Sequence, residues 1–167
     1  MTPGTAGLMD TFLILMLLLT ANGSPIVARM IFGDRGDAPL DCGHRLADGK
    51  PVLGPSKTLR GVLAAVLATT VLAAIFRYGW MIGLIIGSLA MFGDALSSFI
   101  KRRLGMPPGS MALGLDHVPE ALFPLLACKP LLGLSCNRVL ALTAGFMIAN
   151  LLLSRVMCHL GLREHPY

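Results

Sequence analysis

Met91–Glu120 reads MFGDALSSFIKRRLGMPPGSMALGLDHVPE. An apolar helical segment carries a carboxylate, Asp94, and runs into the basic triplet Lys101-Arg102-Arg103. Pro107-Pro108-Gly109 then fixes a turn. A second carboxylate, Asp116, stands at the mouth of the next apolar segment. Upstream, Gly79, Gly83 and Gly87 recur every fourth residue, a spacing that lets helices approach closely in lipid. At helical period the same stripe continues through Ala90, Asp94, Ser97/Ser98 and Lys101. The face that packs inward is therefore the face that carries the acid and the hydroxyls. An ionisable residue inside a span is costly and marks function, with a structural pairing of Asp94 to Lys101 or Arg29 as the alternative.

The rest of the chain has the composition of a membrane bundle. Of its 167 residues 54% are hydrophobic and 14% charged, and the mean hydropathy is +0.72. So few polar residues cannot cover the surface of a soluble domain. The net charge of +5 is first explained by topology and anionic head groups, and nucleic acid is not an expected partner. Cys42, Cys128, Cys136 and Cys158 show neither CxxC nor metal-ligand spacing.

Five apolar segments are expected to span the membrane: Leu8–Phe32, Val62–Phe76, Met81–Ile100, Val118–Leu134 and Val139–Met157. The first reads as a retained span, since it lacks a basic n-region and a small-residue cleavage site. Pro25 either kinks it or breaks it, and the second reading turns Asn22 toward a cavity. The polar loop 33–60 predicts a small hairpin at Asp48-Gly49 and a solvated acidic face at Asp34, Asp37 and Asp41. Ser56 is expected to cap the second helix, with Lys57, Thr58 and Arg60 in its first turn, where backbone donors favour a phosphate. Asn150 and Ser154 are expected to form interhelical hydrogen bonds, and His159 and His165 have no evident partner.

Basic residues give the orientation. Loops 33–60 and 101–117 and the tail hold Arg35, Arg45, Lys50, Lys57, Arg60, Lys101, Arg102, Arg103, Arg155 and Arg163; the opposite side holds Arg77, Lys129 and Arg138. The positive-inside rule places both polar loops and the C-terminus in the cytoplasm and the N-terminus outside. The fold class is thus an all-α integral membrane protein of five transmembrane helices, a single domain over 1–167. Carboxylates from two helices suit magnesium, which takes oxygen ligands and keeps substrate phosphates in its shell. Nearby bases and hydroxyls suit those phosphates. The residues alone read as metal-dependent phosphoryl or nucleotidyl transfer; a non-catalytic binder of anionic lipid or nucleotide, and a small ion transporter using Asp94, stay open.

Gly93-Asp94, Ser98-Phe99-Ile100-Lys101-Arg102-Arg103-Leu104 and Leu115-Asp116 resemble the CDP-archaeol synthase family. So do Asn22-Gly23-Ser24-Pro25, the Pro39-Leu40-Asp41 to Asp48-Gly49-Lys50 loop and Lys57-Thr58-Leu59-Arg60-Gly61. The likeness runs through most of the chain in one order. Asp94 to Asp116 resembles, more distantly, the signature of CDP-diacylglycerol synthases (phosphatidate cytidylyltransferases). The resemblance implies a CTP:lipid-phosphate cytidylyltransferase that needs Mg2+ and releases a CDP-lipid and pyrophosphate. It implies Asp94, Lys101 and Asp116 as catalytic residues, and Asp94, Asp116 and Glu120 as metal ligands. It implies Asn22, Lys57, Thr58, Arg60, Ser97, Ser98, Arg102 and Arg103 as the substrate-binding set. The chain departs from the family at Ser56 (commonly His), Leu59 (Trp), His117 (Gln or Arg) and Pro119 (Asp). Those changes resemble a bacterial-type branch, with the site facing the cytoplasm across the bacterial cell membrane. The implied partners are CTP, a lipid phosphate and membrane lipids; the oligomeric state is left open.

Overall fold

The computed structural model describes residues 3–33, 35–108, 110–112 and 114–159, the side chains of 3–6 and 157–159 aside. Asp34, Gly109, Arg163 and His165 lie outside the described residues, as does the His159 side chain. Among the described residues five helices form: α1 Pro3–Phe32, α2 Leu59–Ile75, α3 Trp80–Arg103, α4 Val118–Leu132 and α5 Cys136–His159. Three of them are long and apolar enough to cross a membrane, within Gly7–Phe32, Trp80–Arg103 and Cys136–Val156. α2, with 17 residues, is apolar but shorter, and α4 has 15.

Outward and inward faces separate at helical period. On α2, Leu63, Leu67, Val71 and Ile75 are all more than half exposed, while Gly61, Ala65, Thr69 and Ala73 are buried. A stripe of exposed leucine-type side chains fits hydrocarbon, not water. The small-residue stripe of α3 meets the buried stripe of α2. A Cβ on Gly83 would lie 2.5 Å from the Thr69 carbonyl oxygen, and one on Gly87 would lie 2.9 Å from the Val66 Cα. Gly79 drops out of the expected stripe. It is the N-cap of α3 with φ 88°, a left-handed conformation that glycine adopts freely.

α1 stays helical through Pro25, so the broken-helix reading is not what forms. Asn22 faces inward all the same. Pro25 sits where a Gly61 Cβ would be 3.2 Å away, so the proline is a packing surface for α2. The cap of α2 also differs from expectation. Thr58, not Ser56, is the N-cap, and its Oγ1 accepts from Gly61 N at 3.2 Å. Lys57 therefore precedes the helix and is free to reach away from it.

Apolar core and cavity occupy opposite halves of the bundle. Ile14, Leu17, Leu18, Ile86, Leu125, Leu142 and Phe146 form the packed half. That end is tied by Arg138, which donates to the Gly7 carbonyl at 2.5 Å, and by Tyr78, which donates to Asp10 Oδ1 at 3.1 Å. Burial and the Asp10 bond push the Tyr78 phenol up to about 12. The polar loops meet at the other end. Arg103 donates to Asp48 Oδ2 at 2.6 Å and to the Pro51 carbonyl at 2.5 Å. The hairpin at Asp48-Gly49 is one bridge wide, Arg45 to Pro51, with Leu46 N donating to Lys50 O at 3.0 Å. Asp37 and Asp41 are not a solvated face. Asp37 accepts from Arg60 at 2.9 Å, and Asp41 Oδ2 accepts from Leu53 N and Gly54 N at 2.9 and 3.1 Å.

Candidate functional site

A cavity of about 710 Å³ opens among α1, α3, α4, α5 and both loops. Its α1 wall is Asn22, Pro25, Ile26, Arg29 and Met30, a single helical stripe. Across from it, Gly93 fixes the approach of α4 to α3. A Cβ there would lie 2.5 Å from both the carbon and the oxygen of the Pro119 carbonyl. This contact brings the next residue of each helix together, so Glu120 stands beside Asp94. Pro119, read from sequence as a departure, is thus the surface on which Gly93 rests.

Asp94 and Asp116 each have a lysine partner, and Glu120 has a neutral amide. Lys57 Nζ donates to Asp94 Oδ1 and Oδ2 at 2.6 and 2.5 Å. Asn22 Nδ2 donates to Glu120 Oε2 at 2.9 Å, and Glu120 is only 5% exposed. Lys101 Nζ lies 2.5 Å from Asp116 Oδ1 and donates to the Ser110 carbonyl at 3.0 Å. Asp116 Oδ2 also accepts from Ala112 N at 2.8 Å, which closes the 110–116 turn around the acid. Asp94 and the buried Glu120 are adjacent acids, and Lys57 is bonded to Asp94. A further cation between the two acids would favour the charged form of both.

Arg102 is 4% exposed, and its Nη2 donates to the Pro107 carbonyl at 2.9 Å. Its Nε is buried and has no partner, so a donor on the cavity wall is left for an anion. Ser98, 5% exposed, lies on the same wall. Of the sequence-predicted residues, Asn22, Lys57, Asp94, Ser98, Lys101, Arg102, Asp116 and Glu120 line the cavity. Four do not. Thr58 caps α2, and Ser97 donates to the Leu115 carbonyl at 2.5 Å beneath the floor. Arg60 donates to the Gly33 and Arg35 carbonyls at 2.8 and 2.5 Å, and Arg103 ties down the hairpin. These four hold the walls in place.

The structure adds residues that charge and spacing passed over. Arg29 enters the sequence reading only as an alternative partner for Asp94, which Lys57 takes instead, yet it lies on the cavity stripe. Asn150 and Ser154 also line the cavity, and Asn150 Nδ2 lies 3.1 Å from His117 Nδ1. Asn22 on α1 is the signal that could have found Arg29, since the two are seven residues apart and share a face. Leu53 lines the cavity as well, held by Asp41. Partial burial works against ionisation of Asp41, but backbone donors from Leu53, Gly54 and Gly43 outweigh it and hold the carboxyl below its ordinary range.

The donors suit a hard divalent cation. Asp94, Glu120, Asp116 and Asn22 all bring side-chain oxygens to one cavity, and among the described residues no three or more His, Cys, Asp or Glu are grouped so that they could hold a metal ion. Magnesium is commonly held by one or two carboxylates, with substrate phosphates completing its shell. The set fits that mode.

A family model described as "CarS-like: CDP-archaeol synthase" matches residues 8–167. The chain is 34% identical over 156 residues to the CDP-archaeol synthase of Sulfurisphaera tokodaii, covering 89% of this chain and 90% of that one. It is 34% identical over 116 residues to that of Hyperthermus butylicus, 66% of each chain. A solved structure described as "an intramembrane enzyme for archaeal membrane lipids biosynthesis" superposes with a TM-score of 0.71 at 29% identity, over 87% of this chain and 92% of that one.

Proposed function

This chain belongs to the CDP-archaeol synthase family, and from that premise we propose how its cavity carries out CTP-dependent cytidylyl transfer to a lipid phosphate. A phosphate oxygen of the lipid attacks the α-phosphorus of CTP. A new P–O bond forms, the bond to the β-phosphate oxygen breaks, and pyrophosphate leaves with the electron pair. The products are a CDP-lipid and pyrophosphate. Two polyanions must meet for this, so the protein's part is to offset charge and align the reactants. Lys57, Lys101 and Arg102 offset the triphosphate charge, and Lys101 neutralises what builds up on the leaving group. Ser98 and the open Nε of Arg102 position phosphate oxygens. Asp94 and Glu120, with Asp116, would hold Mg2+. When bound, the ion draws negative charge off the phosphates and orients them.

The observation that carries this reading is the meeting of Asp94 with Glu120 at the Gly93–Pro119 contact, inside a cavity that Lys57, Lys101 and Arg102 also line. Lys57 and Lys101 then act as place-holders: they hold the carboxylates while the cavity is without ligand and turn to phosphate when CTP and metal enter. All five helices cross the membrane in this proposal, with α2 and α4 as short spans. The cavity end faces the cytoplasm, where CTP is made, across the bacterial cell membrane. That orientation rests on the excess of bases in the two loops joined at that end.

The test is incubation of purified protein with CTP, Mg2+ and a panel of lipid phosphates, with mass spectrometry for the CDP-lipid. Product with at least one lipid is expected. No product with any of them sinks the proposal.

A further inference from the structure

Among the described residues two lysines and two arginines line the cavity, and three of these four are engaged. Lys57 holds Asp94, Lys101 holds Asp116, and Arg102 bonds the Pro107 carbonyl. The fourth, Arg29, makes no ion pair and no side-chain hydrogen bond among the described residues, and it is exposed. Its neighbours on the stripe are apolar. Ile26 and Met30 flank it on α1, and Leu151 faces the same space from α5. Beyond them the outer surface is hydrocarbon-like: Val27, Ile31 and Phe32 on α1 and Leu152 and Val156 on α5 are each more than half exposed.

We infer that Arg29 is the receiving site for the lipid substrate's phosphate, and that its chain lies in the seam between α1 and α5 along Ile26, Met30 and Leu151. This rests on the cytidylyl-transfer reading of the cavity. The chemistry is that of an amphiphile. A phosphate monoester is drawn most readily to a cation with no anionic partner of its own, and a long apolar chain needs an apolar path out to the bilayer. Arg29 is the cavity base that meets both conditions. Guanidinium suits a phosphate bidentately, and a long side chain near a helix end can reach from hydrocarbon depth to the interface. Seven residues separate Arg29 from Asn22, which is about 10 Å of helix axis. The lipid phosphate is therefore received nearer the loop end of α1 and passes inward along one wall to the carboxylates.

The phosphate could instead be CTP's, and the experiment separates the two. Wild type, Arg29→Gln, Arg29→Lys and Leu151→Trp are assayed in nanodiscs. Lipid phosphate is varied at saturating CTP, and CTP at saturating lipid. R29Q is expected to raise the KM for lipid phosphate about tenfold, the size of one charge-assisted hydrogen bond. The KM for CTP stays as in wild type, and R29K recovers part of the loss. L151W raises the lipid KM through the seam without touching Arg29. An unchanged lipid KM in R29Q overturns the inference. So does an equal rise in the CTP KM, or a fall in kcat with both KM values unchanged. If wild type forms CDP-lipid and these results follow, Arg29 alone loses its role. If wild type forms none with any lipid phosphate, the reading of the cavity fails first and the inference with it.

Discussion

Gly93→Ala is the substitution on which the site's geometry turns. The added Cβ would meet the Pro119 carbonyl carbon and oxygen at 2.5 Å and Glu120 N at 2.7 Å. These are backbone atoms near the start of a helix, so no flexible side chain can swing aside. Relief to an ordinary contact of 3.4 Å means that α4 moves off α3 by ~0.9 Å. Overpacking of this kind costs about 1–3 kcal/mol of stability. The functional cost is larger, because the displaced residue is Glu120, beside Asp94. A shift near 1 Å at a reacting centre lowers turnover by about a hundredfold. Gly145→Ala is the control: its Cβ would meet nothing within 4 Å, and alanine is the better helix former. CDP-lipid formation and thermal unfolding in detergent are measured side by side for G93A, G145A and wild type. G93A is expected to lose both activity and melting temperature, and G145A neither. If the two variants behave alike, the close approach at Pro119 does not position the carboxylates and the argument for the site fails.

Asp94→Asn keeps the shape but leaves Lys57 without its anion; turnover should fall by at least about a hundredfold while nucleotide-free protein stays folded, and unaltered CDP-lipid production would refute Asp94's role. Asp41 is held below its ordinary range, so its stabilisation of loop 41–54 is complete above the unfolded value of about 3.9 and lost as pH falls through the lower folded value. Hydrogen exchange of the Leu53 and Gly54 amides should quicken at acid pH in wild type, and at neutral pH in Asp41→Asn; equal protection in both proteins at neutral pH would count against the latch. Tyr78 is shifted up to about 12, so its contribution is complete below about 10 and lost as pH rises through the folded value. Ultraviolet titration of a Tyr167→Phe variant, which leaves Tyr78 as the remaining tyrosine, should show ionisation near that raised value and an ordinary phenol once the protein is unfolded.

Helix extents were legible because apolar runs and their interruptions are local: the five expected segments each coincide with a helix to within a few residues. The α3 stripe was legible for the same reason, and Gly83, Gly87 and Asp94 do share the inward side. Loop residues were harder to read. Arg60 and Asp37 form a pair across 23 positions, and Arg103 and Asp48 across 55. Sequence reading places Arg60 and Arg103 in the substrate-binding set and Asp37 on a solvated face, since sign and spacing do not name a partner. Ser56 and Thr58 are both good caps, and only the path of the chain past Pro39 chooses Thr58. Asn150 is expected from sequence to form an interhelical hydrogen bond and does so, from α5 to His117 at the start of α4; its place on the cavity wall is what the sequence did not show.

Hydropathy and helical period, read from sequence alone, determined that this is a helical membrane protein with its acids and bases gathered at one end, and the family likeness named the reaction. Those properties are carried by neighbouring residues, so they survive without coordinates. Tertiary structure decided which acids meet. Asp94 and Asp116, the pair that the sequence put forward, are each held by a lysine, while Asp94's carboxylate neighbour is Glu120. The reason is steric: with no Cβ on Gly93, the backbone at Pro119 can approach, and that contact sets which side chains share the cavity.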